Sequence, residues 1–234
     1  MKSYHKNNRR IVKKVFQDVF DKYDLMNDLM SLGIHRLWKK NFIHWLNPQK
    51  NTKLIDVASG TGDIAKLYLN KTNYKGSVCC VDENKAMLDL NKNKFKVNDN
   101  VKWFCNSAEK LPFKKNHFDY YTISFGIRNV SNLNNTLKEA YRVLKPGGRF
   151  LCLEFSKVKN EILNKFYKTY SKSIPQIGKF IVGKSEPYEY LINSIEEFYS
   201  QEEFFNQIKK QNFVNISYRN LSGGIAAIHS AWKV

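Results

Sequence analysis

Glycine and proline are scarce in this chain of 234 residues, at 11 and 5. That scarcity excludes a collagen-like fibre and a Pro/Gly-rich disordered tail. The four cysteines, Cys79, Cys80, Cys105 and Cys152, form no Cys-x-x-Cys pair. They read as reduced core residues of a cytosolic-type protein, so neither a disulfide framework nor a metal site is expected. Long apolar runs are missing too: GKFIVG and GGIAAI fall far short of the roughly 20 residues a spanning helix needs. No secretory apolar core follows Met1, and the acid-free opening MKSYHKNNRRIVKK is too short for a convincing transit peptide. Neither export nor a membrane span is therefore expected. Acids are the last shortage. With 39 Lys+Arg against 21 Asp+Glu the formal net charge is +18, which suits an anionic surface, nucleic acid or acidic lipid headgroups. A compositional bias toward Lys and Asn (KNNRR, NKNKF, LNN) accounts for the charge equally well. Charge speaks of partners here, not of chemistry.

What is present is alternation. Between about 53 and 156, short apolar runs alternate with helix-like segments. Strands are predicted at 53–58, 76–82, 101–105, 118–125 and 149–155. Helices are predicted over 63–71, 84–95 and 131–144, the last with Leu133, Leu137, Ala140, Tyr141 and Leu144 on one face. Lys145-Pro-Gly-Gly148 ends that helix, because proline cannot continue it and glycine accepts left-handed angles. Such alternation implies right-handed crossovers and a parallel, doubly wound sheet. Residues 15–24 and 35–46 read as amphipathic helices. A stretch over 157–195 is rich in aromatics (Phe166, Tyr167, Tyr170, Phe180), and Ser200 with Glu203 makes a capping box for a last helix. Two final strands, divided at Ser222-Gly-Gly224, close the sheet as a hairpin. The expected fold is α/β and Rossmann-like: a mostly parallel seven-stranded sheet, an antiparallel closing hairpin, and helices on both faces.

Three strand ends carry chemistry. DVASGTGD (56–63) sits where the first strand turns into the first helix. In an open parallel sheet ligands bind at these carboxyl ends, and glycines let them approach the backbone. Gly60, Thr61 and Gly62 with Ala65 fit a dinucleotide loop, though a tight strand–helix turn would look the same. Asp56 and Asp63 make a poor seat for pyrophosphate. They suit a cofactor carrying a sulfonium and an amino group, S-adenosyl-L-methionine. Asp82 ends the second strand, 20 residues past Gly62, where a carboxylate can accept both ribose hydroxyls. After the third strand, NSAEKLPF (106–113) places Ser107 and Ala108 at the adenine edge.

Further strings resemble the ubiquinone/menaquinone biosynthesis C-methyltransferases, the UbiE family, from about Val15 to the end. They are KYDLMNDLM (22–30), GIHRLW (33–38), TISFGIRNV (122–130), YRVLKPGG (141–148), LEFS (153–156), YLINSI (190–195) and GIAAIH (224–229). Ser59 departs from the family's usual glycine, and Tyr199 from a common proline. The resemblance implies a class I methyltransferase that methylates a ring carbon of a polyprenylated benzoquinol or of demethylmenaquinol. It implies an N-terminal helical lid over 1–50 and a methyltransferase domain over 51–234, with an aromatic substrate cap at 157–198. Cofactor contacts are expected from Asp56, Gly60, Thr61, Gly62, Asp82, Ser107, Ala108 and Ser124. Substrate contacts are expected from Tyr23, Arg128, Tyr170, Ile174 and Tyr190, with no metal. The implied partners are the quinol, an anionic membrane surface, and a second copy or a quinone-biosynthesis complex. The implied location is the cytoplasm, at the inner membrane, or the matrix side in a eukaryote.

Carbon methylation of a quinol needs its phenol deprotonated, because phenolate enriches the adjacent carbon. Attack on a sulfonium methyl then neutralises opposite charges, which a dry pocket favours. Arg128 would stabilise the phenolate or a water that takes its proton, and Asn129 would orient either. Alternatively Arg128 pairs with Asp119 or another acid of the fold. Tyr23 and Asp24 are lid groups or a helix end, and His229 is a core histidine or a catalytic one. A nucleic-acid methyltransferase is the reading from another class. The adenine-amino type carries Asn/Asp-Pro-Pro-aromatic where Ser-Phe-Gly-Ile (124–127) stands here, and no cysteine follows the fourth strand as a nucleophile. A non-catalytic membrane-docking subunit is the third.

Overall fold

The computed structural model describes residues 23–31, 33–92, 95, 100–183 and 185–234. Most of the helix expected over 15–24 lies outside them, as do the side chains of Tyr23 and Asp24. Two helices, α1 (Tyr23–Ser31) and α2 (His35–Leu46), precede the alternating unit. That unit runs β1 (Lys53–Val57), α3 (Asp63–Lys71), β2 (Ser77–Asp82), α4 (Lys85–Lys92), β3 (Val101–Cys105), β4 (Phe118–Ser124), α5 (Leu133–Val143) and β5 (Leu144–Phe155). Helices α6 (Glu161–Val182), α7 (Glu186–Glu197) and α8 (Gln201–Lys209) follow, then β6 (Val214–Leu221) and β7 (Ala226–Trp232).

The strands form one sheet in the order β3-β2-β1-β4-β5-β7-β6. Pairing is parallel from β3 through β5, and β7 runs antiparallel to both β5 and β6. The architecture is the expected Rossmann-like one. Side chains alternate across a strand, so the central strands feed two cores. Leu54, Leu151 and Leu153 join one, and Ile55, Phe150 and Cys152 the other. This explains why these strands read as continuous apolar runs.

Helix α2 belongs to the first of those cores. Its Trp38, Phe42, Ile43 and Leu46 pack with Leu54, Tyr68 and Leu151, and the Trp38 indole donates to Ser222 Oγ at 3.0 Å. Burial of side chains this large stabilises by about 1.5–3 kcal/mol each, so α2 is integral to the domain. The expected stop at Lys145–Gly148 is corrected in one respect. Helix α5 does end, at Val143, but the chain passes directly into β5. The irregularity appears as a register jump, from Phe118 opposite Leu144 to Tyr120 opposite Arg149. The capping box at Ser200 and Glu203 forms as read.

Candidate functional site

Sheet order reverses between β1 and β4, since β2 and β3 lie to one side and β5 to the other. A cavity of about 710 Å³ opens at the carboxyl ends of these strands, where such a reversal leaves a crevice. Its wall includes Asp56 near the end of β1, Gly60 and Thr61 from the first turn, Asp82 from β2, Ser107 and Ala108 after β3, and Ser124 at the end of β4. Seven of the eight residues expected to hold a cofactor therefore converge. Gly62 is the exception. It keeps the left-handed φ of +75° that opens α3, but a Cβ there would meet Phe95 and Trp103 at 3.1 and 3.2 Å. Its smallness serves packing, and it is not among the residues lining the cavity.

The first turn is tied down on its β2 side. Ser59 N–H donates to Val81 O at 3.1 Å, and Gly60 N–H to Asp82 Oδ2 at 2.9 Å. Ser59 is not among the residues of positive φ, so its side chain adds no backbone strain of its own to the turn. Strain sits next door. Ala58 (φ +51°) and Phe125 (φ +56°) are both left-handed at their strand ends, a conformation that costs non-glycine residues on the order of 1–3 kcal/mol and clusters at functional sites. Gly126 makes this possible, because a Cβ there would collide with the Ala58 methyl.

The cavity is acidic. Asp56 is fully buried, and burial pushes its carboxyl up to about 7, partly opposed by a hydrogen bond from Thr122. Thr122 Oγ1 donates to Asp56 Oδ1 at 2.8 Å, while Oδ2 has no partner. Burial also raises Asp82, against the pull of N–H donors from Asn84 and Gly60. Both Asp82 oxygens thus brace the loop and keep lone pairs for a ligand. Ser124 Oγ is likewise buried without a partner.

Two contributors escaped the sequence reading. Lys39 is buried, lines the cavity, and donates to Asp63 Oδ2 at 2.7 Å. Its signal was a lysine on the apolar face of α2, one turn from His35 and from Ile43. Glu109 also lines the cavity, and its Oε1 accepts from Ser131 N–H and Asn132 N–H at 2.8 and 3.0 Å. It ties the loop after β3 to the start of α5. Nothing short of the fold brings those loops together.

Arg128 is placed elsewhere. It is 2% exposed and absent from the cavity wall. Its Nη1 donates to Glu154 Oε1 at 2.6 Å and to Phe125 O at 2.9 Å, and its Nε to Ser194 Oγ at 3.3 Å. The guanidinium also lies over the Phe155 ring. Its acid is thus Glu154; Asp119 instead takes Lys145 Nζ. Asn129, its neighbour, does reach the cavity, and Tyr190 Oη donates to Asn129 Oδ1 at 2.9 Å. Ile174 is fully buried in the core, and Tyr170 Oη donates to Leu29 O at 2.6 Å. Both hold α6 onto its neighbours and neither lines the cavity. His229 is a core histidine: Nε2 meets Gln201 O at 2.9 Å, the ring packs on Phe204, and burial lowers its pKa to about 4. Cys105 departs from the expected core placement, being exposed in the cavity wall. All four cysteines are free, and no metal-binding cluster occurs among the described residues.

A model of the ubiE/COQ5 methyltransferase family matches residues 2–233. The ubiquinone/menaquinone biosynthesis C-methyltransferase UbiE of Rickettsia bellii is 54% identical over 231 residues, covering 96% of this chain and 93% of that one. Among solved structures, a SAM-dependent methyltransferase from Thermotoga maritima aligns with a TM-score of 0.68 at 18% identity, over 94% of this chain and 99% of that chain. Phosphoethanolamine N-methyltransferase 2 of Haemonchus contortus, in complex with S-adenosyl-L-methionine, aligns with a TM-score of 0.61 at 15% identity, over 84% and 52%. At those identities the two structures speak for the fold alone.

Proposed function

Since the chain belongs to the ubiE/COQ5 methyltransferase family, we propose that it transfers a methyl group from S-adenosyl-L-methionine to a ring carbon of a polyprenylated benzoquinol or naphthoquinol. The observation that carries this reading is the cavity at the sheet reversal, with buried, partnerless Asp56 Oδ2 and Ser124 Oγ in its wall. A cation-bearing amino acid with a nucleoside fits that donor and acceptor set. Asp82 would accept the ribose hydroxyls, and Ser107 and Ala108 would meet the adenine. Asp56 would face the ammonium, and Lys39, exchanging from Asp63, the carboxylate. Thr61 and Gly60 would supply the turn against the chain of the amino acid.

The cofactor supplies an electrophilic methyl on sulfur. Everything else falls to the protein. Asn129, whose Oδ1 is engaged by Tyr190, has its amide N–H groups left for the phenolic oxygen, which fixes the ring carbon beside it. Phe125, packed with Trp38 and Phe155, would exclude water from that side of the ring, so that negative charge there is less quenched by solvation. Arg128 supports the site indirectly, by joining the end of β4 to Glu154 on β5 and Ser194 on α7. The helices before β1 serve as cover over the cofactor, and Tyr190 with α7 as one wall of the substrate space. No helix among the described residues is long and apolar enough to cross a membrane. The net charge of +18 supports meeting a lipid-borne substrate by peripheral association with an anionic cytoplasmic or matrix-side membrane face.

The test is direct. Purified protein, methyl-labelled cofactor and a short-tailed demethylated quinol should yield a ring-methylated product by mass spectrometry. Label on a phenolic oxygen, or label in added RNA and none in quinol, would refute the assignment.

A further inference from the structure

Helix α6 shows two faces of opposite use. Inward, Ile174 and Tyr167 join the core, Tyr170 bonds Leu29 O, and the Tyr188 ring fills the space a Cβ on Gly178 would need. Outward, Ile162, Phe166 and Phe180 stand in solvent at 71%, 70% and 93% exposure. Phe166 follows Ile162 by about one turn. Phe180 follows Ile162 by 18 residues, about five turns at 3.6 residues each, and so returns to the same side. Lys165, Lys168, Lys172 and Lys179 are exposed along this helix, whose one acid is Glu161 in the first turn.

We propose that this outer face of α6 is the surface by which the protein docks on an anionic lipid bilayer. Large apolar side chains rimmed by lysines match an interfacial helix, which sinks its apolar groups to the headgroup–acyl boundary and leaves its ammonium groups at the phosphates. Each lysine held near an acidic leaflet strengthens binding roughly fivefold. A nucleic acid would use the lysines but give Ile162 no stacking partner and no apolar depth. The position also suits a lipid-borne substrate, a point that rests on the methyl-transfer reading. Helix α7 lies against α6 in one core and sends Tyr190 to Asn129 in the cavity wall. Docking on α6 therefore brings the cavity within about one helix layer of the membrane.

Co-sedimentation of the full chain with vesicles tests this, using phosphatidylcholine alone and phosphatidylcholine mixed with phosphatidylglycerol. The parent should bind the mixed vesicles, less so as salt rises. The combined variant Ile162→Ser, Phe166→Ser, Phe180→Ser should lose at least tenfold in partitioning, with an unchanged circular dichroism spectrum because all three sites are exposed. Lys165→Gln, Lys168→Gln, Lys172→Gln together should lose at least as much and no longer respond to anionic lipid. Leu90→Ser, on α4 and half exposed, should change nothing. Undiminished binding by the serine variant overturns the proposal. So does a parental dimer that the serine variant dissolves, since a second copy would then cover the face. Turnover on a water-soluble short-tailed quinol separates the two readings: it should survive in the serine variant, and its absence in the parent would defeat methyl transfer while leaving the vesicle result to stand.

Discussion

Asp56 and Thr122 face one another across the β1–β4 pair, and the threonine hydroxyl donates to Asp56 Oδ1 at 2.8 Å. That single bond does not offset burial, so the carboxyl titrates at about 7, against 3.8 for an ordinary aspartate. A folded-state value above the unfolded one means the ligand-free fold prefers the protonated acid. Its stability declines as pH rises from about 4 to about 7.

Cofactor binding should run the other way. An ammonium beside Asp56 favours the carboxylate, so affinity should fall about tenfold per pH unit below 7, with proton release on binding near neutrality. Titration calorimetry across pH 6–8 in buffers of differing ionisation enthalpy checks this. Asp56→Asn should melt higher than the parent at pH 8 without ligand, yet bind the cofactor at least tenfold more weakly.

Asp82 braces Gly60 and Asn84 while offering its remaining lone pairs. Charge-assisted hydrogen bonds of this kind are worth about 1.5–3 kcal/mol each. Asp82→Ala should therefore weaken cofactor binding at least tenfold, with adenosine affected in parallel. Unchanged affinity by calorimetry would remove Asp82 from the site.

Lys39 gives the complementary contrast. Lys39→Ala should weaken S-adenosyl-L-methionine about tenfold but leave adenosine binding unaltered, because adenosine has no carboxylate to lose. Equal effects on both ligands would mean the lysine only shapes the helix.

The Arg128–Glu154 pair is fully desolvated, and breaking such a pair from one side costs about 3–5 kcal/mol. Arg128→Ala should lower the melting temperature by about 10 °C in a chain of this size. Arg128→Met with Glu154→Leu should recover most of that loss. An Arg128→Ala protein with parental stability and a hundredfold slower turnover would instead put the guanidinium at the reacting ring.

Tyr190 acts through Asn129. Tyr190→Phe should slow turnover about three- to tenfold, the scale of one neutral hydrogen bond, without changing cofactor affinity. In Asn129→Ala the further loss of the Tyr190 hydroxyl should cost nothing, a coupling that a double-mutant cycle reads directly.

Local chemistry is what the sequence carried. Short continuous apolar runs, the turn at Gly60 and the helix from Asp63 depend on neighbours a few residues apart, so the strands, α3, α2 over 35–46 and the capping box at Ser200 were legible. So was the acid at the end of each of the first two strands, because position along a parallel strand decides which end meets a ligand. Side-chain partnership between distant segments was not legible. Arg128 looked catalytic from its place after β4, but Glu154 is 26 residues away in sequence and 2.6 Å away in space. Only the adjacency of β4 and β5 lets a buried acid claim it. Gly62 fitted a ligand loop by pattern, yet Phe95 and Trp103 occupy the space beside it. Likewise the apolar and aromatic residues of 162–180 form a single list in one dimension. Folding of α6 against α1 and α7 alone decides that Ile174 is core while Phe166 and Phe180 face outward, because burial belongs to the assembled surface and not to the residue.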